Sequence, residues 1–308
     1  MAEVGLVRFA RVALEDATAA VPVYRSKFSK HVFTQPQLLA VLCLMRYEDW
    51  TFREAEVRLS EHRELREALG LSRVPDHVTL HRFFGERLSE EMIERVLTGI
   101  VARLPPPPSG GAIVAVDGTG LFPGSVSTFH VKRAKDRGDG FAWRHYLKWL
   151  VAIDVERLVV VAQMAKKGPS NDSANLRPLV DSAFAKRHFG IVLADAEFDS
   201  EKNHTHVRSL GAEAIIPAKR GKKDWKIQGV RLQMRQNFPA EQYRQRSRIE
   251  STFSAIKRKL SFRAPGRSLR TQILQALILG IAYNIYRIRP RHFSSSAPCP
   301  LATLSLTA

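Results

Sequence analysis

The chain has 308 residues, 44% of them hydrophobic and 25% charged, a balance that buries a real core and excludes a disordered or fibrous protein. Lys and Arg number 48 against 30 Asp and Glu, a formal charge of +18. Two cysteines far apart in sequence, Cys43 and Cys299, exclude a disulfide framework and a cysteine-rich zinc site, and they suit a reducing intracellular compartment. Met1 to Arg11 interleaves charges where a signal peptide would be apolar, and the longest apolar stretch, Ile273 to Tyr283, is about half a membrane span. A soluble cytoplasmic protein with no membrane partner is expected.

In chain order, Leu38, Leu39, Leu42 and Met45, then Ala55, Leu59, Leu65 and Leu69, recur at helical spacing over 35–69, and Gly70 is placed to stop the run. Pro75-Asp76 feeds a short helix through Thr79 to Phe84. That arrangement resembles a helix-turn-helix, which would bring Arg82 to DNA; a plain helical bundle fits the same pattern. Pro105 to Pro108 followed by Ser109-Gly110-Gly111 reads as a linker, so residues 1–104 form a helical N-terminal domain and 105–111 the connection. Ala112 to Val116 is a buried strand ending at Asp117. Trp149–Ile153 and Leu158–Val161 suit a hairpin.

Asp172 is expected to cap a helix through Leu176, Leu179, Val180 and Phe184. Ile191–Ala194 is a strand ending at Asp195, a helix passes through His206 and Leu210, and Ala214–Ile216 is a further strand. A basic stretch over 218–236 leads into one long helix from Ala240 to Leu260 and a final apolar helix over 269–287. Three strands, then helix and strand alternating, predict an α/β fold. It is an RNase H-like mixed sheet flanked by helices over 112–290, preceded by the smaller all-α domain and followed by a disordered tail, 291–308.

The charge is not evenly spread. Residues 219–292 carry 19 Lys and Arg against three acids, Asp224, Glu241 and Glu250, whereas residues 1–218 carry 29 against 27. Such a band is built to meet a polyanion, with nucleic acid the leading candidate. Asp117 and Asp195 each end an apolar strand, where side chains enter a crevice and paired carboxylates can hold hard cations. A plain turn role fits each alone, and Asp154, Glu197 and Asp199 compete for the same function. Tyr243, Arg246, Glu250 and Lys257 stand at offsets 0, 3, 7 and 14, within roughly 60° of arc on one helix face. A solvated Arg246–Glu250 pair is the bland alternative, but it leaves unexplained a lone acid among so many cations.

With these residues in view, the chain resembles the DDE-type insertion-sequence transposases that carry the YREK signature. Val-Ala-Val-Asp117-Gly-Thr, Leu-Ala-Asp195-Ala-Glu-Phe-Asp-Ser and the Tyr243–Arg246–Glu250–Lys257 series carry the likeness, which extends over most of residues 35–290. The resemblance implies that Asp117, Asp195 and Glu250 are catalytic and hold two Mg²⁺ ions, for which Mn²⁺ would substitute. It implies strand cleavage and strand transfer at the terminal inverted repeats of a bacterial element, by a homodimer on double-stranded DNA in the nucleoid. Tyr243, Arg246 and Lys257 would contact DNA, joined by Arg82, by Lys222, Lys223 and Lys226 in the basic stretch, and by Trp225 stacked on a displaced base. A stand-alone metal-dependent nuclease and an inactive, domesticated DNA-binding relative remain the alternatives. An RNA-binding protein is weaker, for want of an aromatic RNA platform.

Overall fold

The structure is a computed structural model that describes residues 5–28, 31–123, 146–219 and 228–288. Lys222, Lys223, Trp225 and Lys226, and the tail expected over 291–308, lie outside the described residues.

The N-terminal part is helical: α1 (Leu6–Ala20), α2 (Gln35–Glu48), α3 (Phe52–Glu61), α4 (Arg63–Ala68), α5 (His77–Arg82) and α6 (Glu90–Ala102). The stretch read as helical over 35–69 is three helices, because Asp49 turns left-handed after α2 and His62 is extended after α3. Thr34 and Thr51 open α2 and α3 with reciprocal capping boxes to Gln37 and Glu54, satisfying amide hydrogens that the first turn leaves bare. Gly70 has φ +59°, a left-handed turn that a side chain would strain. The short helix expected near residue 79 runs over His77–Arg82, capped by Asp76, and then widens into a π turn over Phe83–Arg87.

The rest of the chain is built on five strands among the described residues: β1 (Ala112–Leu121), β2 (Leu147–Asp154), β3 (Val159–Lys167), β4 (Phe189–Ala194) and β5 (Glu213–Ile215). Their order is β3-β2-β1-β4-β5. β1 is antiparallel to β2 and β2 to β3, whereas β4 lies parallel to β1 and β5 to β4. With α7 (Leu176–Phe184) and α8 (Glu201–Ser209) on one face, this is the mixed α/β sheet of the RNase H-like fold. On the other face lie α11 (Ser247–Lys259) and α12 (Leu269–Arg287). Between the fifth strand and α11 come α9 (Gly229–Gln236) and α10 (Ala240–Tyr243).

Three local expectations need correction. Asp117 does not end its strand: β1 continues through Gly118, Thr119 and Gly120, which stay in the ladder against Leu150, Trp149 and Lys148. Asp172 makes no capping bond; it is buried and ion-paired with Lys148, a stronger claim on a carboxylate than an exposed helix start. The long helix over 240–260 is interrupted, because Arg244–Arg246 tighten into a 3₁₀ turn between α10 and α11.

Alternation along the strands sends Val114, Val116, Leu150 and Ala152 to a core beneath α7 and α8, and Ala115, Trp149, Val151, Ile153 and Leu193 to a core beneath α11 and α12. α12 is apolar on all sides because it serves two cores. Leu279 and Tyr283 face the sheet, while Leu274, Leu277, Ile278 and Ile281 join the core of the N-terminal helices. Gly280 lets it come close: a Cβ there would collide with Gln163 Oε1 of β3. Asn284 serves as a neighbour for this edge strand, accepting the Val160 N–H at 2.8 Å and donating to its carbonyl at 2.7 Å.

Candidate active site

In the parallel ladder Val116 pairs with Ala194, so Asp117 and Asp195 are next in line at the same end of adjacent strands. Both share the parity of Ala115 and Leu193, the face that α11 covers. Ile249, Phe253 and Ile256 press that helix onto the sheet and fix its rotation, which brings Glu250, in its first turn, to the edge of the two aspartates. Arg246, one turn earlier, closes the group. Its Nη1 lies 3.3 Å from Asp117 Oδ2 and its Nη2 2.6 Å from Glu250 Oε1.

The exposures are graded. The Asp117 and Arg246 side chains are 20% and 19% exposed, and Glu250 is 59% exposed. Asp117 Oδ1 accepts the Gly118 N–H at 2.7 Å, and Asp195 Oδ1 accepts that of Glu197 at 2.8 Å. Burial pushes the Asp117 carboxyl up to about 6, against the Gly118 amide and Arg246, with the charges of Asp195 and Glu250 adding to the rise. Burial lowers the Arg246 guanidinium, but Tyr243, Asp117, Glu250 and Asp195 outweigh it and hold the group above its ordinary value. The Tyr243 ring stands 5.9 Å from the guanidinium carbon, braced edge-on by Phe238, and burial raises its phenol.

Among the described residues no three His, Cys, Asp or Glu side chains are drawn up as a ready metal centre. The donor set nevertheless suits a hard divalent cation: all three acids offer oxygen, and two already converge on one cation, the guanidinium of Arg246.

The structure thus brings Asp117, Asp195, Tyr243, Arg246 and Glu250 together. Lys257 stands apart, seven residues or about 10 Å along α11 from Glu250, exposed and with its ammonium 4.3 Å over the Phe262 ring. Arg82 is exposed at the end of α5, in the helical N-terminal part. The competing acids are engaged elsewhere or exposed. Asp154 is buried against Arg187, Asp199 takes the fork of Arg231, and Glu197 is exposed. Sequence reasoning missed Lys148, buried beside Gly118 and paired with Asp172. The signal was present in Gly118-Thr119-Gly120, whose missing side chains make room for Lys148 and Tyr146.

A family model described as "Transposase DDE domain" matches residues 108–285. Among solved structures, the chain is similar to one titled as the cryo-EM structure of piggyBac transposase synaptic complex with hairpin DNA. The two are 11% identical over 92% of this chain and 75% of that one, with a TM-score of 0.42. No curated protein matches the chain. No helix among the described residues is long and apolar enough to cross a membrane.

Proposed function

The chain belongs to the DDE transposase family, and from that membership we propose that it cuts and joins DNA at the ends of a bacterial insertion sequence, using Mg²⁺. It is a DNA-cleaving transposase, and its family works with divalent metal ions. Asp117, Asp195 and Glu250 would hold two such ions. When bound, these stabilise the attacking and leaving oxygens of an in-line displacement at phosphorus.

The rest falls to the protein's own groups. With its carboxyl near 6, Asp117 is ionised at neutral pH and available as a ligand. Arg246 offers a planar fork that can take two oxygens of a backbone phosphate, and Tyr243 backs it from one side. On this reading no covalent protein–DNA link is needed, so Tyr243 is a positioning contact and not the nucleophile. The attacking groups are therefore water, which frees a 3′-hydroxyl at the element's end, and then that hydroxyl on target DNA. Lys257, Arg82, Lys222, Lys223 and Lys226 would hold phosphates, and Trp225 would stack on an unpaired base. Two ends must be cut together, so a homodimer on paired inverted repeats is the expected assembly.

The observation that carries this reading is the register Val116–Ala194, which sets Asp117 beside Asp195 under a helix whose Glu250 shares a cation with Asp117. The test is Mg²⁺-dependent nicking of a duplex bearing the element's end. Asp117→Asn, Asp195→Asn and Glu250→Gln should each abolish it while leaving thermal unfolding intact, and Glu197→Gln should cut normally. A Glu250→Gln protein that nicks at the wild-type rate would sink the assignment.

A further inference from the structure

Arg246 occupies the oxygens that a metal ion would need. Asp117 has one carboxylate oxygen, Oδ1, already committed to the Gly118 amide; the other, Oδ2, is the one Arg246 touches. Glu250 likewise gives Oε1 to Arg246 at 2.6 Å. A divalent cation on the same two oxygens would stand a few ångströms from the guanidinium, and like charges that close repel strongly in a half-buried site, so each weakens the hold of the other. Asp195 adds a third negative charge to the group, and among the described residues Arg246 is the cation whose ion pairs reach it.

Arg246 also has somewhere else to go. It lies in the tight turn ahead of α11, outside the regular helix, and its side chain is 19% exposed, with the Tyr243 ring beside it. A DNA backbone phosphate presents the same geometry as a carboxylate, two anionic oxygens for a planar fork. We infer that Arg246 is a stand-in cation, which neutralises Asp117 and Glu250 in the free protein and moves to a DNA phosphate on binding, so that DNA uncovers the metal-binding oxygens. The inference rests on the reading that these acids bind metal. By linkage, it makes metal and DNA each strengthen the binding of the other.

The test measures Mn²⁺ binding from the loss of the free-ion paramagnetic resonance signal, with and without a random-sequence duplex, after subtracting what the duplex binds alone. Without DNA, Arg246→Gln should bind Mn²⁺ tighter than wild type by about fivefold or more, the low end of ordinary coupling between sites. With saturating duplex the gap should close. Wild type should therefore gain more from DNA than the variant does. Arg246→Lys keeps the charge without the fork and should fall between them; it also serves if the Gln variant unfolds. An Arg246→Gln protein that binds Mn²⁺ no tighter without DNA, or keeps the same advantage with DNA, overturns the stand-in role. The Asp117→Asn, Glu250→Gln double variant separates the two failures. Wild-type Mn²⁺ binding there refutes the metal reading itself. Loss there, with Arg246→Gln unchanged, refutes the stand-in alone.

Discussion

Two groups of acidic side chains, at opposite ends of the central sheet, are handled in opposite ways. Where β1 begins, Asp154 is 1% exposed and matched to a single Arg187, 2.6 Å away. It also accepts the backbone N–H groups of Glu156 and Arg157, and Arg187 reaches on to the Pro105 carbonyl at 3.0 Å. Where β1 and β4 point outward, Asp117 and Glu250 pair with one guanidinium, and the charge of Asp195 stands near it. One end is matched charge for charge and sealed; at the other, among the described residues, two acids meet one guanidinium and Glu250 is 59% exposed. The first arrangement ties the linker, the hairpin and the start of β4 into a scaffold.

The sharpest way to break this contrast is to neutralise one acid at the open end. Asp117→Asn should lower strand cleavage by about 10³-fold or more, since metal stabilisation of several kcal/mol is at stake. Thermal unfolding should stay the same or improve. At the sealed end the loss should fall on stability. Arg187→Met strands a buried Asp154, and urea unfolding should show a loss of about 3–5 kcal/mol, with cleavage per folded molecule unchanged. A stable Arg187→Met protein would mean that the two ends do not differ as described.

Acid titration sharpens the comparison further. Folded Asp117 holds its proton more tightly than the unfolded chain does, so its contribution makes stability fall as pH rises from about 4 to about 6, by about 3 kcal/mol at most. Burial also raises Asp16 to about 6, so the readout is the difference between wild type and Asp117→Asn across that window. Asp199 behaves like the sealed end. Burial pushes its carboxyl up, but hydrogen bonds from His204, Arg231 and the Lys219 amide outweigh it and bring it to about 2. Its stabilisation is present above about 4 and is lost as pH falls toward 2. Asp199→Asn should therefore flatten the acid limb and leave the window from 4 to 6 alone. The smallest effect is expected from the basic stretch. Changing Lys222, Lys223 and Lys226 together to Ala should lower the salt slope of DNA binding by about three units, whatever the DNA sequence.

How much of this was legible in the sequence follows from the range of each interaction. The strands, their alternation with helices along the chain, and α12 were readable because apolar periodicity is local, and so was the one-face grouping of Arg246 and Glu250, four residues apart. Asp117 and Asp195 were found for a partly wrong reason. The Gly-rich run after Asp117 looked like a turn, whereas it continues a strand whose neighbour β2 supplies the bulk, through Lys148 and Tyr146. The pairings Asp154–Arg187, Asp172–Lys148 and Asp199–Arg231 join residues 33, 24 and 32 positions apart. No local pattern announces such contacts; they exist only once the sheet has formed. The tight turn at Arg244–Arg246 was hidden for a different reason, because a 3₁₀ turn and an α-helix draw on the same residues.

α12 has a consequence for the order of events during synthesis. It follows every strand of the sheet along the chain, yet both the N-terminal helices and the sheet bury apolar side chains against it. As the chain emerges, the early helices lack Leu274, Leu277, Ile278 and Ile281, and the sheet lacks Leu279, Tyr283 and the edge-strand pairing made by Asn284. Both cores draw on the same late helix. Both cores are therefore complete only after the chain has been made as far as Ile285, so their final packing comes late in synthesis.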